Sequence, residues 1–70
     1  MTREEIIERL EYLNKVIDNG YDTAFMQRRM SHPNADSLAD STMRWVKAFE
    51  RERNELREKI RVMETNLNIY

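Results

Sequence analysis

Two clusters of basic residues are the first candidates for chemistry in this chain. Arg28, Arg29 and His32 lie close together, and Arg44, Lys47 and Arg51 follow at spacings of three and four, which places them on one face of a helix. Guanidinium and ammonium groups gathered in this way hold anions: a phosphate, a nucleotide or the acidic surface of another protein. The competing reading is a set of solubilising charges balanced by Asp22, Asp36 and Asp40. Phe25, Met26 and Met30, interleaved with the first cluster, suit an apolar partner surface, because the flexible thioether adapts to varied shapes. Packing against a neighbouring helix would use them equally well. Tyr21 and Trp45 have rings that could stack on a base, although Trp45 flanks an apolar seam and suits packing better. The candidate site is therefore Arg28, Arg29, His32, Arg44 and Lys47, with Phe25, Met26 and Met30 as its apolar part.

Nothing in the sequence forms a catalytic constellation. With one His and no Cys, a single chain has no Cys–His pair and no His-rich ligand set. Ser31, Ser37 and Ser41 fall in turn or cap contexts, and one Gly in the whole chain rules out a Gly-rich phosphate loop. Carboxylate neighbours such as Glu4 and Glu8 read as a solvated helix face. No enzyme activity, cofactor or metal is expected.

Composition narrows the classes further. The chain has 70 residues, 40% of them apolar and 36% charged, with one Gly and one Pro. That suits a single domain, residues 1–70, built from long helices with little else. Twelve basic and thirteen acidic residues give a formal charge of −1, so no global basic field favours generic nucleic-acid binding. The acidic start, Met1-Thr2-Arg3-Glu4-Glu5, has no apolar stretch like a signal peptide, and no apolar run reaches membrane-spanning length. A cytoplasmic protein without membrane contact is the expectation. A core this small is marginal on its own, and with no disulfide to help, oligomerisation is the remaining support.

The elements that must position the candidate site read as three helices. Thr2 with Glu5 three residues later has capping-box spacing. Ile6, Leu10, Leu13 and Ile17 then follow at helical intervals, and Glu5–Arg9 is a favourable i,i+4 pair. Gly20 after Asn19 suggests a left-handed C′ residue, so the first helix is expected over about 3–19. A short helix over about 23–30 follows, and Pro33 marks a break. Ser37, or Asp36, then caps a long helix over about 38–68. The connector from Tyr21 to Asp36 is longer than a plain hairpin needs.

The long helix carries a heptad seam. Its a positions are Ala39, Val46, Arg53, Ile60 and Leu67, and its d positions are Thr42, Phe49, Leu56, Met63 and Tyr70. A first helix half as long leaves part of this seam bare, so Val46, Phe49, Leu56, Ile60, Met63 and Leu67 are expected to form an oligomer seam. A parallel pair would set Glu52 against Arg57 and Lys59 against Glu64; an antiparallel four-helix dimer serves comparably. Arg53 reads as a snorkelling side chain or as a register device paired with Glu50 or Glu52 of a neighbour. The fold class is thus all-α, a helical hairpin assembling as a coiled-coil-like homo-oligomeric bundle, most simply a homodimer.

The function expected is non-enzymatic: a small helical homo-oligomer that binds another macromolecule as adaptor, inhibitor or regulator. Mobile-element proteins that inhibit host factors have this kind of size and helical make-up, an analogy of architecture alone. The alternative is an oligomeric binder of a nucleotide or nucleic acid through the Arg/His/Lys cluster.

Overall fold

The computed structural model describes the chain from Met1 to Ile69, and its side chains through Asn66. It is a hairpin of two antiparallel helices, α1 over Arg3–Arg28 and α2 over Ala35–Ile69, with extents of 59 × 15 × 15 Å.

Helix α1 starts where its cap signals place it. Thr2 is extended at φ −75° and ψ 163°; its hydroxyl accepts from the Glu5 N–H at 3.2 Å, and its own N–H donates to Glu5 Oε1 at 3.2 Å. Two otherwise orphaned donors are satisfied by one pair of residues. The hydrogen bond from the Thr2 backbone is the main reason the Glu5 carboxyl lies below its ordinary pKa. Thr2→Ala is expected to cost about 0.5–2 kcal/mol, read as a lower thermal midpoint; an unchanged midpoint would remove this cap from the account.

The expected break at Gly20 does not occur. Helix α1 runs through it for 26 residues to Arg28, so the separate short helix over 23–30 merges with the first. Gly20 has no positive φ and is buried in mid-helix. Its role is close approach. A Cβ placed there would lie 2.3 Å from Val46 Cγ2 and 2.8 Å from Trp45 Cη2. The heptad spacing of α1 in fact continues: Ile6, Leu10, Leu13, Ile17, Gly20 and Ala24 follow at four, three, four, three and four. All but the half-buried Leu10 are buried.

Helix α2 begins at Ala35, earlier than Ser37 would start it. The Leu38 N–H donates to the Asn34 carbonyl at 2.9 Å, which sets Asn34 at the helix entry and Ser37 inside the first turn. Pro33 supplies the break, as expected. The connector shrinks to the six residues from Arg29 to Asn34, an ordinary length for a helical hairpin. His32 closes this turn: its Nδ1 accepts from the Asn34 N–H at 3.0 Å and its carbonyl from the Ala35 N–H at 3.1 Å.

The seam of α2 packs on α1 of the same chain. Val46 and Leu56 join Ile6, Leu13 and Ile17 in the buried core, with Phe49, Ile60 and Met63 packed at its margin. Burying each large side chain contributes about 1.5–3 kcal/mol. Because α1 is longer than expected, it reaches far along α2: Arg3 Nη2 lies 3.1 Å from Glu64 Oε1. The bare seam expected of a half-length first helix is therefore covered as far as the described side chains extend; that of Leu67 lies outside them. Side-chain size tapers towards the turn, where Gly20 and Ala24 share the seam with the buried Ala35 and Ala39. There Thr42, buried, donates its hydroxyl to Gln27 Oε1 at 2.6 Å.

Register in the middle of the hairpin is held by Arg9. It does not pair with Glu5, its i,i+4 neighbour, but crosses to α2, where Nε and Nη2 bind the two carboxylate oxygens of Glu52 at 2.6 and 3.0 Å. The guanidinium also stacks 5.1 Å from the centre of the Tyr12 ring. Glu52 is thereby engaged within the chain. Its pKa is lowered from an ordinary 4.5, first by these hydrogen bonds and then by the charge of Arg9. A carboxylate whose folded pKa is depressed stabilises the fold above its unfolded pKa, and the contribution is lost as pH falls through the folded value. Glu52→Gln should therefore flatten the acid limb of the stability curve below about pH 4.5 while lowering the plateau at neutral pH. Parallel acid limbs in urea melts of the two proteins would refute this.

Candidate functional site

The turn half of the hairpin carries a cleft on one flank of the helix pair. Tyr21, Asp22, Ala24, Phe25 and Arg28 of α1 line it together with Met43 of α2, around an open volume of about 440 Å³. A shallower extension of about 290 Å³ continues between Arg28, Asp40, Met43, Arg44 and Lys47. Arg28 and Met43 line both. The helices bring these residues together by simple periodicity. Tyr21, Phe25 and Arg28 are four and three apart, so they share one side of α1. Asp40, Arg44 and Lys47 do the same on α2.

The floor of the cleft is apolar and its rim is charged. Ala24 is buried at the bottom, Met43 is half-buried against the core, and Phe25 is 60% exposed at the edge. Arg28 and Asp40 face each other at 3.8 Å, a loose and largely solvated pair. Among the described residues, Arg44 and Lys47 have no carboxylate within ion-pair distance. The Tyr21 hydroxyl donates to Glu50 Oε1. That bond, with burial and the Glu50 charge, raises the phenol pKa above its ordinary 10.0, against a smaller opposing effect of Arg53. The Tyr21 ring is thus fixed as one wall of the cleft.

The sequence matches no protein-family model, and no curated protein and no solved structure matches it. Only the chemistry of its own residues speaks for the site.

Of the candidate residues, the fold brings Arg28, Arg44, Lys47 and Phe25 together and separates the others. Arg29 caps α1, its N–H donating to the Met26 carbonyl at 3.2 Å, and its guanidinium stacks 5.3 Å from the centre of the Phe25 ring. It borders the cleft through Phe25 without lining it. His32 is exposed and engaged in the turn. Met26 and Met30 are 64% and 50% exposed and stand outside the cleft. The reason is geometric: Met26 follows Phe25 by 100° around the helix, so the two never share a face. Tyr21 and Met43 were missed as parts of the cleft. The signal for Tyr21 was its four-residue spacing from Phe25, hidden by the apparent helix end at Gly20. Nothing local marks Met43, an e position beside the seam.

Trp45 lies off this flank. Its indole packs over Gly20 and meets Phe49 edge-to-face, with centroids 5.6 Å apart and planes at 78°, the arrangement aromatic quadrupoles favour. The seam residues Val46, Phe49, Leu56, Ile60 and Met63 contact α1 and are not part of the cleft. Among the described residues, no three or more His, Asp or Glu side chains gather in a metal-binding geometry, and no helix is long and apolar enough to cross a membrane.

Proposed function

We propose that this chain is a non-enzymatic binding hairpin, working as a homodimer, that docks a protein partner in the cleft between α1 and α2. One observation carries the reading: an apolar lining from Tyr21, Ala24, Phe25 and Met43 adjoins a basic rim from Arg28, Arg44 and Lys47. Apolar and charged elements side by side fit a protein surface that offers a bulky apolar side chain beside carboxylates. The role is that of an adaptor, inhibitor or regulator. A bare phosphate or nucleic-acid backbone is the poorer fit, because Asp40 stands within the basic rim and the floor offers it nothing polar.

The homodimer part of the reading is supported by how little two helices can enclose. Each covers the other on one side only, and Tyr12, Phe25, Met26, Met30, Leu38 and Val62 stay more than 40% exposed. The cleft is tested with a photocross-linking residue at Phe25, which is expected to capture a protein partner in the native host. Arg44→Glu with Lys47→Glu should abolish the capture with an unchanged melting curve. Capture that survives the double change would place the site elsewhere. Steeply salt-dependent binding of an oligonucleotide or of ATP, lost in the same variant, would move the assignment to the nucleotide or nucleic-acid reading.

A further inference from the structure

The flank opposite the cleft has a different character. Arg9 bound to Glu52, and the Trp45 indole over Gly20, fix which sides of α1 and α2 meet there. Tyr12, Val16 and Thr23 lie on the same side of α1 as Arg9, and Leu38, Ser41 and Trp45 on the same side of α2 as Glu52. From Tyr12 on α1 to the helix end at Arg28, and from Leu38 to Phe49 on α2, no charged residue stands on this side. In a chain that is 36% charged, all those within these spans turn to other faces. The internally neutralised Arg9–Glu52 pair closes the strip at one end and the turn closes it at the other. Within it Tyr12 is 51%, Leu38 41% and Trp45 37% exposed.

We propose that this uncharged flank is a two-fold interface on which a second copy of the chain docks, forming a four-helix dimer. The inference rests on the homodimer reading above and assigns its surface. A face meets its own copy in a two-fold contact, so each residue must tolerate the same residue set on the other side. An uncharged strip satisfies that condition. The basic rim of the cleft does not, because its copy would repel it. Size agrees as well. The strip runs about 25 Å along α1, from Tyr12 to the helix end at Arg28, and about 18 Å along α2, from Leu38 to Phe49, each helix being about 10 Å wide. The strip then offers roughly 430 Å² per copy, so two copies bury roughly 900 Å², the size of a weak interface whose dimer forms and dissociates with concentration. The dimer leaves the cleft facing outward on both copies, one flank serving self-assembly and the other the partner.

The test uses the full chain and its single tryptophan. Sedimentation from about 1 to 100 µM should show a monomer–dimer equilibrium, and the Trp45 emission should shift to the blue as the dimer forms, following mass action. Thr23→Lys with Ser41→Lys places four like charges across the interface at exposed positions. The dissociation constant should rise about a hundredfold or more, with unchanged helicity. If that variant loses helicity, spin labels decide in an otherwise unaltered chain: labels at Ser41→Cys should lie closer across the dimer than labels at Arg51→Cys. Arg44→Glu with Lys47→Glu should dimerise normally. A wild-type monomer throughout overturns both this inference and the homodimer reading. A dimer without a Trp45 shift, one that survives the lysines, or one with the two labels in reverse order overturns this interface alone. A dimer of the expected kind with no partner in its cleft overturns the partner-binding reading alone.

Discussion

Gly20→Ala will destabilise the hairpin, by about 1–2 kcal/mol, although alanine is the better helix former. Two effects of opposite sign meet at this residue. Alanine in a helix interior gains about 1 kcal/mol over glycine from propensity alone. Against that, the added methyl would sit 2.3 Å from Val46 Cγ2 and 2.8 Å from Trp45 Cη2. Real contacts of this kind do not occur, so the helices must separate or Val46 and Trp45 must leave their places. Overpacking a fixed interior costs about 1–3 kcal/mol for each such intrusion, and here two side chains must move. The larger Gly20→Leu should lose most of the stability of so small a fold. The decisive measurement is a double-mutant cycle with Val46→Ala. Val46→Ala alone opens a cavity and destabilises. Combined with Gly20→Ala it should restore part of the loss, because the alanine methyl enters the space the valine vacated. A strictly additive pair would mean that Gly20 does not pack on Val46. A stabilised single variant would mean that the helices have room to spare.

Replacing Arg53 with leucine should do the opposite and raise stability by about 1–2 kcal/mol. Arg53 occupies an a position of the α2 seam between Phe49 and Leu56, and its Nε atom is buried with no hydrogen-bond partner among the described residues. A buried donor without an acceptor forfeits its hydration and regains nothing. The carboxylates adjacent in sequence are otherwise engaged: Glu50 accepts from Tyr21, and Glu52 from Arg9. Leucine places apolar surface where the core asks for it, as replacement of buried ionic groups by well-packed apolar ones often does without loss. At this chain length the gain should appear as a rise in thermal midpoint of about 4–8 °C per kcal/mol, compared at one protein concentration because dimerisation would make the midpoint concentration-dependent. A lower midpoint would show that the rest of the guanidinium binds something the gain does not replace. A companion Arg53→Met keeps the length of the side chain and separates loss of charge from loss of packing.

Both expectations concern residues whose type alone was misleading. Glycine after asparagine, at the end of an apolar run, has the pattern of a helix terminus, and the same pattern can mark a close crossing. The choice between them depends on what stands opposite. Val46 and Trp45 are 26 and 25 residues further along the chain, so no local window contains the answer. The small residues that follow at seam spacing, Gly20 and Ala24, did hold a trace of it. They keep the heptad rhythm but add little hydrophobicity, so the stripe fades where the helices come closest. One misplaced break then carried through: it shortened α1, lengthened the connector and left the seam of α2 apparently bare.

What the sequence determined by itself is the local and periodic part. The Thr2–Glu5 cap, the break at Pro33, the apolar stripe that opens α1, the long amphipathic α2 and its seam from Ala39 to Met63 follow from bonds and spacings within a few residues. The tertiary structure alone decided the partners of that seam and the make-up of the cleft. Whether Leu56 meets a second chain or its own α1 turns on where α1 ends, and Glu52 binds Arg9 because antiparallel packing sets them face to face. Arg28, Arg44, Lys47 and Phe25 converge, whereas His32, Met26 and Met30 do not, although all were equally near in sequence. Helical pitch and hairpin register separate neighbours by 100° and join residues fifteen or more apart. That selection cannot be made before both helices have been placed.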